Sequence, residues 1–183
     1  FAAKLTVGQG NVFDGCIAAY NADDGWDLFA KVQSGSIGVV TIQNCVAFKN
    51  GYVLDENGKE IDAGNGNGFK MGGDSMPGAH VLKNSVAFAN KAKGIDSNSC
   101  PDIKVFSSTT FDNESYNVAF YTNTAVNPAF AANGILSYKV SNKVAEQFKL
   151  KGTQVSSDVY GATNYYFDGS KSANADGATV AAA

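Results

Sequence analysis

The sequence contains no arginine, one histidine, one tryptophan, three prolines and three cysteines in 183 residues. All 14 basic side chains are lysine; they face 17 acidic ones, for a net charge of −3. A nucleic-acid surface normally carries excess positive charge and uses guanidinium forks on phosphates and bases, so nucleic acid is excluded as a partner. No apolar run approaches the roughly 20 residues that a membrane-spanning helix needs, which excludes a membrane span. Cys16, Cys45 and Cys100 are odd in number and lack metal-ligand spacing, so a disulfide framework is not expected. His80 stands alone, gives little basis for Ser-His-Asp chemistry, and reads as a loop residue. With 44% hydrophobic residues and little proline, disorder and collagen-like structure are excluded. The length suits one domain with a core, so a single domain over residues 1–183 is expected. The opening on Phe1 and the close on Thr179-Val180-Ala-Ala-Ala give the expectation of a piece truncated at both ends.

What the sequence does have is internal repetition. Val12-Phe-Asp-Gly-Cys16-Ile-Ala-Ala-Tyr20-Asn21, Ile42-Gln-Asn-Cys45-Val-Ala-Phe48-Lys-Asn50, Leu82-Lys-Asn-Ser85-Val-Ala-Phe88-Ala-Asn90 and Val105-Phe-Ser-Ser108-Thr-Thr-Phe111-Asp-Asn113 share one pattern. The closing asparagines are spaced by 29, 40 and 23 residues. A short second segment follows each unit: Asp24-Gly-Trp-Asp27, Asn67-Gly-Phe-Lys70, Lys93-Gly-Ile-Asp96 and Tyr116-Asn-Val-Ala119. A weaker copy is expected around Ile135–Asn142. Neither a leucine-rich consensus nor paired helices with a 3.6-residue period are present. Short β-branched segments punctuated by Gly and Asn predict an all-β solenoid, a single-stranded parallel β-helix with coils about 4.8 Å apart. Like residues then stack: Cys16, Cys45 and Ser85 in an inward column, Tyr20, Phe48, Phe88 and Phe111 in an aromatic one. Asn21, Asn50, Asn90 and Asn113 are expected at a turn, where Asn tolerates the left-handed region and can bond from coil to coil. The insertions Val32–Ser36, Gly51–Gly66 and Gly72–Gly78 are expected to wall a groove. Residues 124–183 are expected to be less regular, with Val144–Leu150 a short helix or a loop.

Two chemical features stand on this frame. Asp23, Asp24 and Asp27 put three carboxylates within five residues at a turn. Such a cluster is either a solvated acidic turn or a divalent-cation site, and all-oxygen donors favour Ca²⁺ over zinc. Aligning the Gly-apolar-X triplets places Asp27, Lys70 and Asp96 in one column on successive coils. A lysine above an acidic cluster is either a salt bridge or a base beside a metal. Gly64-Asn-Gly-Asn-Gly-Phe-Lys70-Met-Gly-Gly73 leaves little side-chain bulk around it. Trp26 continues an apolar column and is expected in the core.

Asn-Ala-Asp-Asp-Gly-Trp-Asp-Leu (21–28), the glycine-rich run 64–73 and Lys-Gly-Ile-Asp-Ser-Asn (93–98) together resemble polysaccharide lyase family 9. The resemblance covers most of residues 1–123. It implies a right-handed parallel β-helix that cleaves polygalacturonate by β-elimination, with Asp23, Asp24 and Asp27 as Ca²⁺ ligands and Lys70 abstracting the C5 proton. The family has one more aspartate on the preceding coil, in Asp-Gly-Phe-Ala-Ala-Lys, whose end matches residues 1–4. A chain lacking N-terminal coils, with part of the calcium site, is therefore expected. Asp96 is expected to hold Lys70 or to contact sugar hydroxyls, Asn65 and Asn67 to bind sugar or to shape the loop, and Lys4 and Lys31 to pair substrate carboxylates or to be plain surface residues, with Asp96, Asn67 and Lys31 as the candidate substrate contacts. The base must be neutral, so a lowered lysine pKa and an alkaline optimum are expected. The implied partner is an acidic plant polysaccharide, met by a monomer in a secreted, extracellular or periplasmic setting. Rhamnogalacturonan cleavage and a non-catalytic carbohydrate-binding or adhesion β-helix are the alternatives. A polygalacturonase-type hydrolase would use aspartates as acid and base, without a lysine in the column.

Overall fold

In the computed structural model the described residues are 1–122, 126–138, 146–149, 159, 161, 163–167 and 172–173. They carry strands β1 (Asn11–Asp14), β2 (Ile17–Ala19), β3 (Trp26–Asp27), β4 (Val40–Gln43), β5 (Val46–Phe48), β6 (Tyr52–Leu54), β7 (Glu60–Asp62), β8 (Phe69–Lys70), β9 (Val81–Lys83) and β10 (Val86–Phe88). They continue with β11 (Lys93–Asp96), β12 (Lys104–Phe106), β13 (Thr109–Phe111), β14 (Tyr116–Tyr121), β15 (Ala131–Asn133), β16 (Leu136–Tyr138), β17 (Glu146–Lys149), β18 (Tyr166–Phe167) and β19 (Ser172–Ala173).

Three parallel sheets run along the solenoid. The first has the order β1-β4-β9-β12-β15, the second β2-β5-β10-β13-β16 and the third β3-β8-β11-β14-β17. Each coil therefore contributes one short strand to each sheet, for about five turns. The expected parallel β-helix is the observed architecture. Strand alternation sends every second side chain inward. Ile42, Leu82 and Val105 fill the core from the first sheet, Ala18, Ala47 and Ala87 from the second, and Trp26, Phe69, Ile95 and Val118 from the third. Trp26 and Phe69 stack at 4.8 Å between ring centroids.

The polar columns lock coil to coil. Cys45 N–H donates to Ser85 Oγ (3.1 Å), and Ser85 N–H to Ser108 Oγ (3.3 Å). Asn21 Nδ2 donates to Asn50 Oδ1 (2.7 Å), Asn50 Nδ2 to Asn90 Oδ1 (2.8 Å), and Asn90 Nδ2 to Asn113 Oδ1 (2.8 Å). The ladder continues onto Asn117 Oδ1 (3.0 Å). It fills the space beside the glycine of each Gly-apolar-X triplet. A Cβ on Gly68 would lie 2.9 Å from Asn90 Nδ2 and 2.7 Å from the Gly94 carbonyl oxygen. The triplet glycine is thus required by a close approach.

Several expectations shift in register. Phe13, not Val12, pairs with Ile42, and Ala19, not Tyr20, pairs with Phe48. Tyr20 instead meets Phe48 edge-on at 6.2 Å. The first unit has one residue more than the others between its opening apolar residue and Cys16, and its aromatic comes one residue late. Phe48, Phe88 and Phe111 do stack, at 5.1 and 5.0 Å, and Tyr138 extends the stack. The left-handed backbone falls on the residue before each ladder asparagine (Tyr20, Lys49, Ala89, Asp112) rather than on the asparagine. Of Val144–Leu150, residues 146–149 form neither helix nor loop: β17 pairs in parallel with β14. The weaker copy is present as β15 and β16; residues 139–142 lie outside the described residues, as does most of the 124–183 tail. The insertion 51–66 carries an antiparallel hairpin of β6 and β7. The three cysteines are free thiols. Among the described residues no helix is long and apolar enough to cross a membrane.

His80 precedes β9 as a loop residue, yet it is 1% exposed, and its Nδ1 accepts a hydrogen bond from Val40 N–H at 3.1 Å. Burial lowers its pKa to about 4, against an opposing pull from Asp102. The folded value lies below the unfolded 6.5, so the unfolded chain takes up the proton first on acidification. Stability should fall as pH drops from 6.5 towards 4, by at most about 3 kcal/mol from this group. Urea unfolding across that range should show the slope, reduced in His80→Asn. The asparagine ladder makes a second prediction. Asn90→Leu leaves Asn50 N–H without its acceptor and takes the amide bonds from the Ala47 carbonyl, Asn50 Nδ2 and Asn113 Oδ1, the last two keeping only the Ala18 carbonyl and the residue 90 N–H. With a buried orphan costing about 1–3 kcal/mol and each further lost bond about 1 kcal/mol, the urea midpoint should fall by the equivalent of roughly 3 kcal/mol.

Candidate active site

The third sheet decides where the charges go. In each triplet the apolar residue points inward, so the next residue points out. Trp26 pairs with Phe69 and Ile95 with Phe69; Asp27 and Asp96 accordingly flank Lys70 in register. Asp24 precedes β3 by two residues and is fixed from the next coil: its Oδ1 accepts from Asn67 N–H (2.9 Å) and Nδ2 (2.8 Å). Asn67 is 6% exposed, and its own Oδ1 accepts from Lys93 N–H. Its amide holds Asp24 in place and is turned away from solvent.

The Lys70 ammonium lies 3.0 Å from Asp24 Oδ2 and 3.4 Å from Asp27 Oδ1. These are ion pairs by distance: neither buried oxygen accepts an aligned hydrogen bond. The Lys70 side chain is 16% exposed, and its ammonium also sits 5.7 Å from the Phe29 ring centroid. Burial acts to lower the Lys70 pKa, but Asp24 and Asp27 outweigh it and the net shift is upward. The lowered value expected for a base is therefore not a property of this arrangement. The cause is that two carboxylates face the amine directly. Asp27 Oδ2 accepts from Lys4 Nζ at 2.7 Å, so Lys4 belongs to the cluster.

The remaining candidates are placed differently. Asp23 is exposed, and its Oδ1 accepts from Asn65 N–H at 3.0 Å. Gly64 packs against the Ala22 carbonyl there, where a Cβ would have no room. Asp96 is 1% exposed; its Oδ2 pairs with Lys93 Nζ at 2.9 Å and its Oδ1 accepts from Asn98 N–H. Burial raises its pKa, opposed by Lys93. Asp96 thus faces Lys93, while the ion partners of Lys70 are Asp24 and Asp27. Lys31 lies in a tight turn, its carbonyl accepting from Ser34 and Gly35 N–H. Sequence reasoning missed Lys93, although it heads Lys-Gly-Ile-Asp in the position of Asp24 and Asn67, and it missed Phe29, which carries no chemical signature.

Among the described residues no three carboxylate, histidine or cysteine side chains converge to hold a metal. Asp24 and Asp27 still suit a hard cation in part. Each has a buried oxygen without an aligned donor, the two face a common point, and carboxylate oxygen is what Ca²⁺ prefers. Asp23 points to the hairpin loop and does not join them.

The Pel9A-like right-handed β-helix region matches residues 1–142. Pectate lyase L of Thermoclostridium stercorarium is 40% identical over 97% of this chain and 14% of its own length. Pectate lyase L of Paenibacillus polymyxa is 54% identical over 66% of this chain and 26% of its own length. Among solved structures, a rhamnogalacturonan lyase matches 82% of this chain and 42% of its own, at TM-score 0.64 and 26% identity. Pectate lyase Pel9A matches 86% and 37%, at TM-score 0.52 and 31% identity. The chain spans about a seventh to a quarter of the length of these two sequence relatives. With its coils, its triplet register and its matched span, the chain belongs to the Pel9A-like right-handed β-helix family.

Proposed function

We propose that the protein is a polysaccharide lyase that cleaves polygalacturonate by β-elimination, with Lys70 as the base. The observation that carries the reading is a partly exposed amine held between Asp24 and Asp27 on the outer face of a parallel sheet, in a chain related to named pectate lyases. The C5 proton of a uronate is weakly acidic, because its removal places negative charge beside the carboxylate. Lys70, once neutral, takes that proton. The C5–H electrons form the C4–C5 double bond, the C4–O bond breaks, and the departing oxygen takes a proton from solvent. Asp24 and Asp27 would hold Ca²⁺, and Asp23, bonded to Asn65 N–H, would have to turn from the hairpin loop to join them. When bound, the ion supplies neutralisation of the substrate carboxylate. The two carboxylates that hold the Lys70 ammonium are also those that would take the ion, so metal binding and release of the amine share one pair of groups. Asp96, Asn67 and Lys31 act, on this reading, through the site's framework and its edge. The working form is a secreted monomer.

The rhamnogalacturonan lyase among the structural neighbours, with a TM-score of 0.64, favours a second reading, in which the same elimination acts on the galacturonate of rhamnogalacturonan. Both substrates are assayed by the ultraviolet absorbance of the unsaturated product. The intact natural protein should produce it from polygalacturonate with calcium. Lys70→Ala should cut the rate by roughly 10²–10⁴-fold while near-ultraviolet circular dichroism in calcium stays unchanged; full activity in Lys70→Ala refutes the base. Product from rhamnogalacturonan alone selects the second substrate, and reducing ends without new absorbance indicate hydrolysis. Chelation should abolish the activity and added calcium should restore it. Calorimetric titration should show calcium affinity weakened about tenfold or more in Asp24→Asn and Asp27→Asn; unchanged affinity in both removes them as ligands.

A further inference from the structure

One coil beyond Lys70 the same sheet carries a second group of the same make. Lys93, at the start of β11, places its ammonium 2.9 Å from Asp96 Oδ2 and 5.2 Å from the centroid of the Tyr121 ring. Lys70 likewise meets a carboxylate and a ring, Asp24 and Phe29, but both lie on the preceding coil, whereas Asp96 lies on the same strand as Lys93. In both groups the carboxylate side chain is 1% exposed, while the lysine keeps 16% (Lys70) or 21% (Lys93) of its side chain in water. Each pair therefore joins a buried anion to an ammonium that reaches the surface.

The second group is rigidly built. Asp96 Oδ1 accepts from Asn98 N–H at 2.9 Å, and Asn98 Oδ1 accepts from Tyr121 OH at 3.2 Å. Asn98 Nδ2 donates to the Gly72 carbonyl at 2.6 Å, tying the group to the coil of Lys70. Ser97 Oγ accepts from Tyr121 N–H and donates to the Tyr121 carbonyl. Ammonium and ring are thus fixed before any ligand arrives, which lowers the entropic cost of binding. An ammonium has three donors; Asp96 engages one and the ring faces the head, leaving capacity towards solvent. Asp96 pairs in register with Lys70, so the strands that carry the two lysines are one coil apart, about 4.8 Å along the axis, with Lys70 turned to the preceding coil and Lys93 towards Tyr121 of the following one.

We infer that Lys93, held by Asp96 and Tyr121, is a second subsite that binds the carboxylate of a neighbouring uronate in the same chain. The inference rests on the acidic-polysaccharide reading above and assigns Lys93 to binding, not to proton transfer. It is tested on the intact natural protein with Lys93→Met, Lys93→Arg and the double variant Lys93→Met/Asp96→Asn, which removes both charges and leaves no buried carboxylate unpaired. On polygalacturonate the two Met-containing variants should raise KM about five- to tenfold with a much smaller change in kcat, and Lys93→Arg should restore most of the difference. Lys104→Met, on the exposed side of the first sheet, should leave KM unchanged. An unchanged KM in both Met-containing variants overturns the subsite, and so does a lowered melting temperature with KM unmoved. Calorimetric titration with polygalacturonate separates this from the activity. Lys93-dependent binding without unsaturated product keeps the subsite and rejects the lyase; no binding by the natural protein rejects the subsite as well.

Discussion

The contact on which the rest depends is the one between an asparagine amide and a glycine. Asn50, Asn90 and Asn113 are fully buried, and each amide links the coils on either side of it. The amides occupy space that only a hydrogen side chain leaves free: Asn50 Nδ2 lies 2.8 Å from where a Cβ on Gly25 would be, and Gly68 and Gly94 stand in the same relation to Asn90 and Asn113. A buried amide is stable only when its donors and acceptor are all engaged. The ladder engages them by donating each amide N–H to the carbonyl oxygen of the next coil. It ends where the glycine of the triplet is replaced by Asn117, whose own oxygen accepts the last bonds and whose amide turns to Ser137 Oγ and the Tyr138 carbonyl. A one-residue slip of any coil would break this pairing and turn its side chains to the wrong face at once.

That register fixes the charges. Once Gly25, Gly68 and Gly94 are aligned, the residue two places on is outward, and Asp27, Lys70 and Asp96 are backbone neighbours on successive coils. The same column sets Asp24, Asn67 and Lys93 beside one another on three coils. Burying Asp24 and Asp96 is costly unless a cation is close and further hydrogen bonds complete their shells. Both requirements are met locally: Asn67 supplies two donors to Asp24 and Asn98 one to Asp96, while Lys70 and Lys93 supply the charge.

The fold was legible because a solenoid writes its geometry as repetition. Columns at Cys45, Ser85, Phe48, Phe88 and the four asparagines follow directly from spacing. The errors came where spacing is locally broken: Tyr20 matches the chemistry of Phe48 but sits one residue late, and register follows Ala19. Glu146–Lys149 carries no repeat signature, and its strand exists because β14 offers a free edge. At the site, the juxtaposition of Lys70 with Asp24 and Asp27 was legible from the triplets. The direction of each side chain was not. Asp96 turning to Lys93 is a rotamer choice made between two nearby ammonium groups, and Asp23 turning to Asn65 depends on the path of the 51–66 insertion. Neither is encoded in a column.

The balance of charge on this face has a consequence for any anionic ligand. Asp24 and Asp27 are matched by Lys70 and Lys4, and Asp96 by Lys93. A polyanion approaching such a surface meets no strong net attraction, so its carboxylates must share or exchange partners with groups already paired. Exchange is cheapest where the lysine reaches solvent and the aspartate keeps other donors. Lys4 (43% exposed) and Lys93 satisfy the first condition, and Asp24 and Asp96 the second. Lys70 is the more enclosed amine, and its two partners hold oxygens with no aligned donor. Of the paired ammonium groups on this face it is therefore the one whose withdrawal leaves the largest unmet charge, which is the condition under which a divalent cation gains most by taking its place.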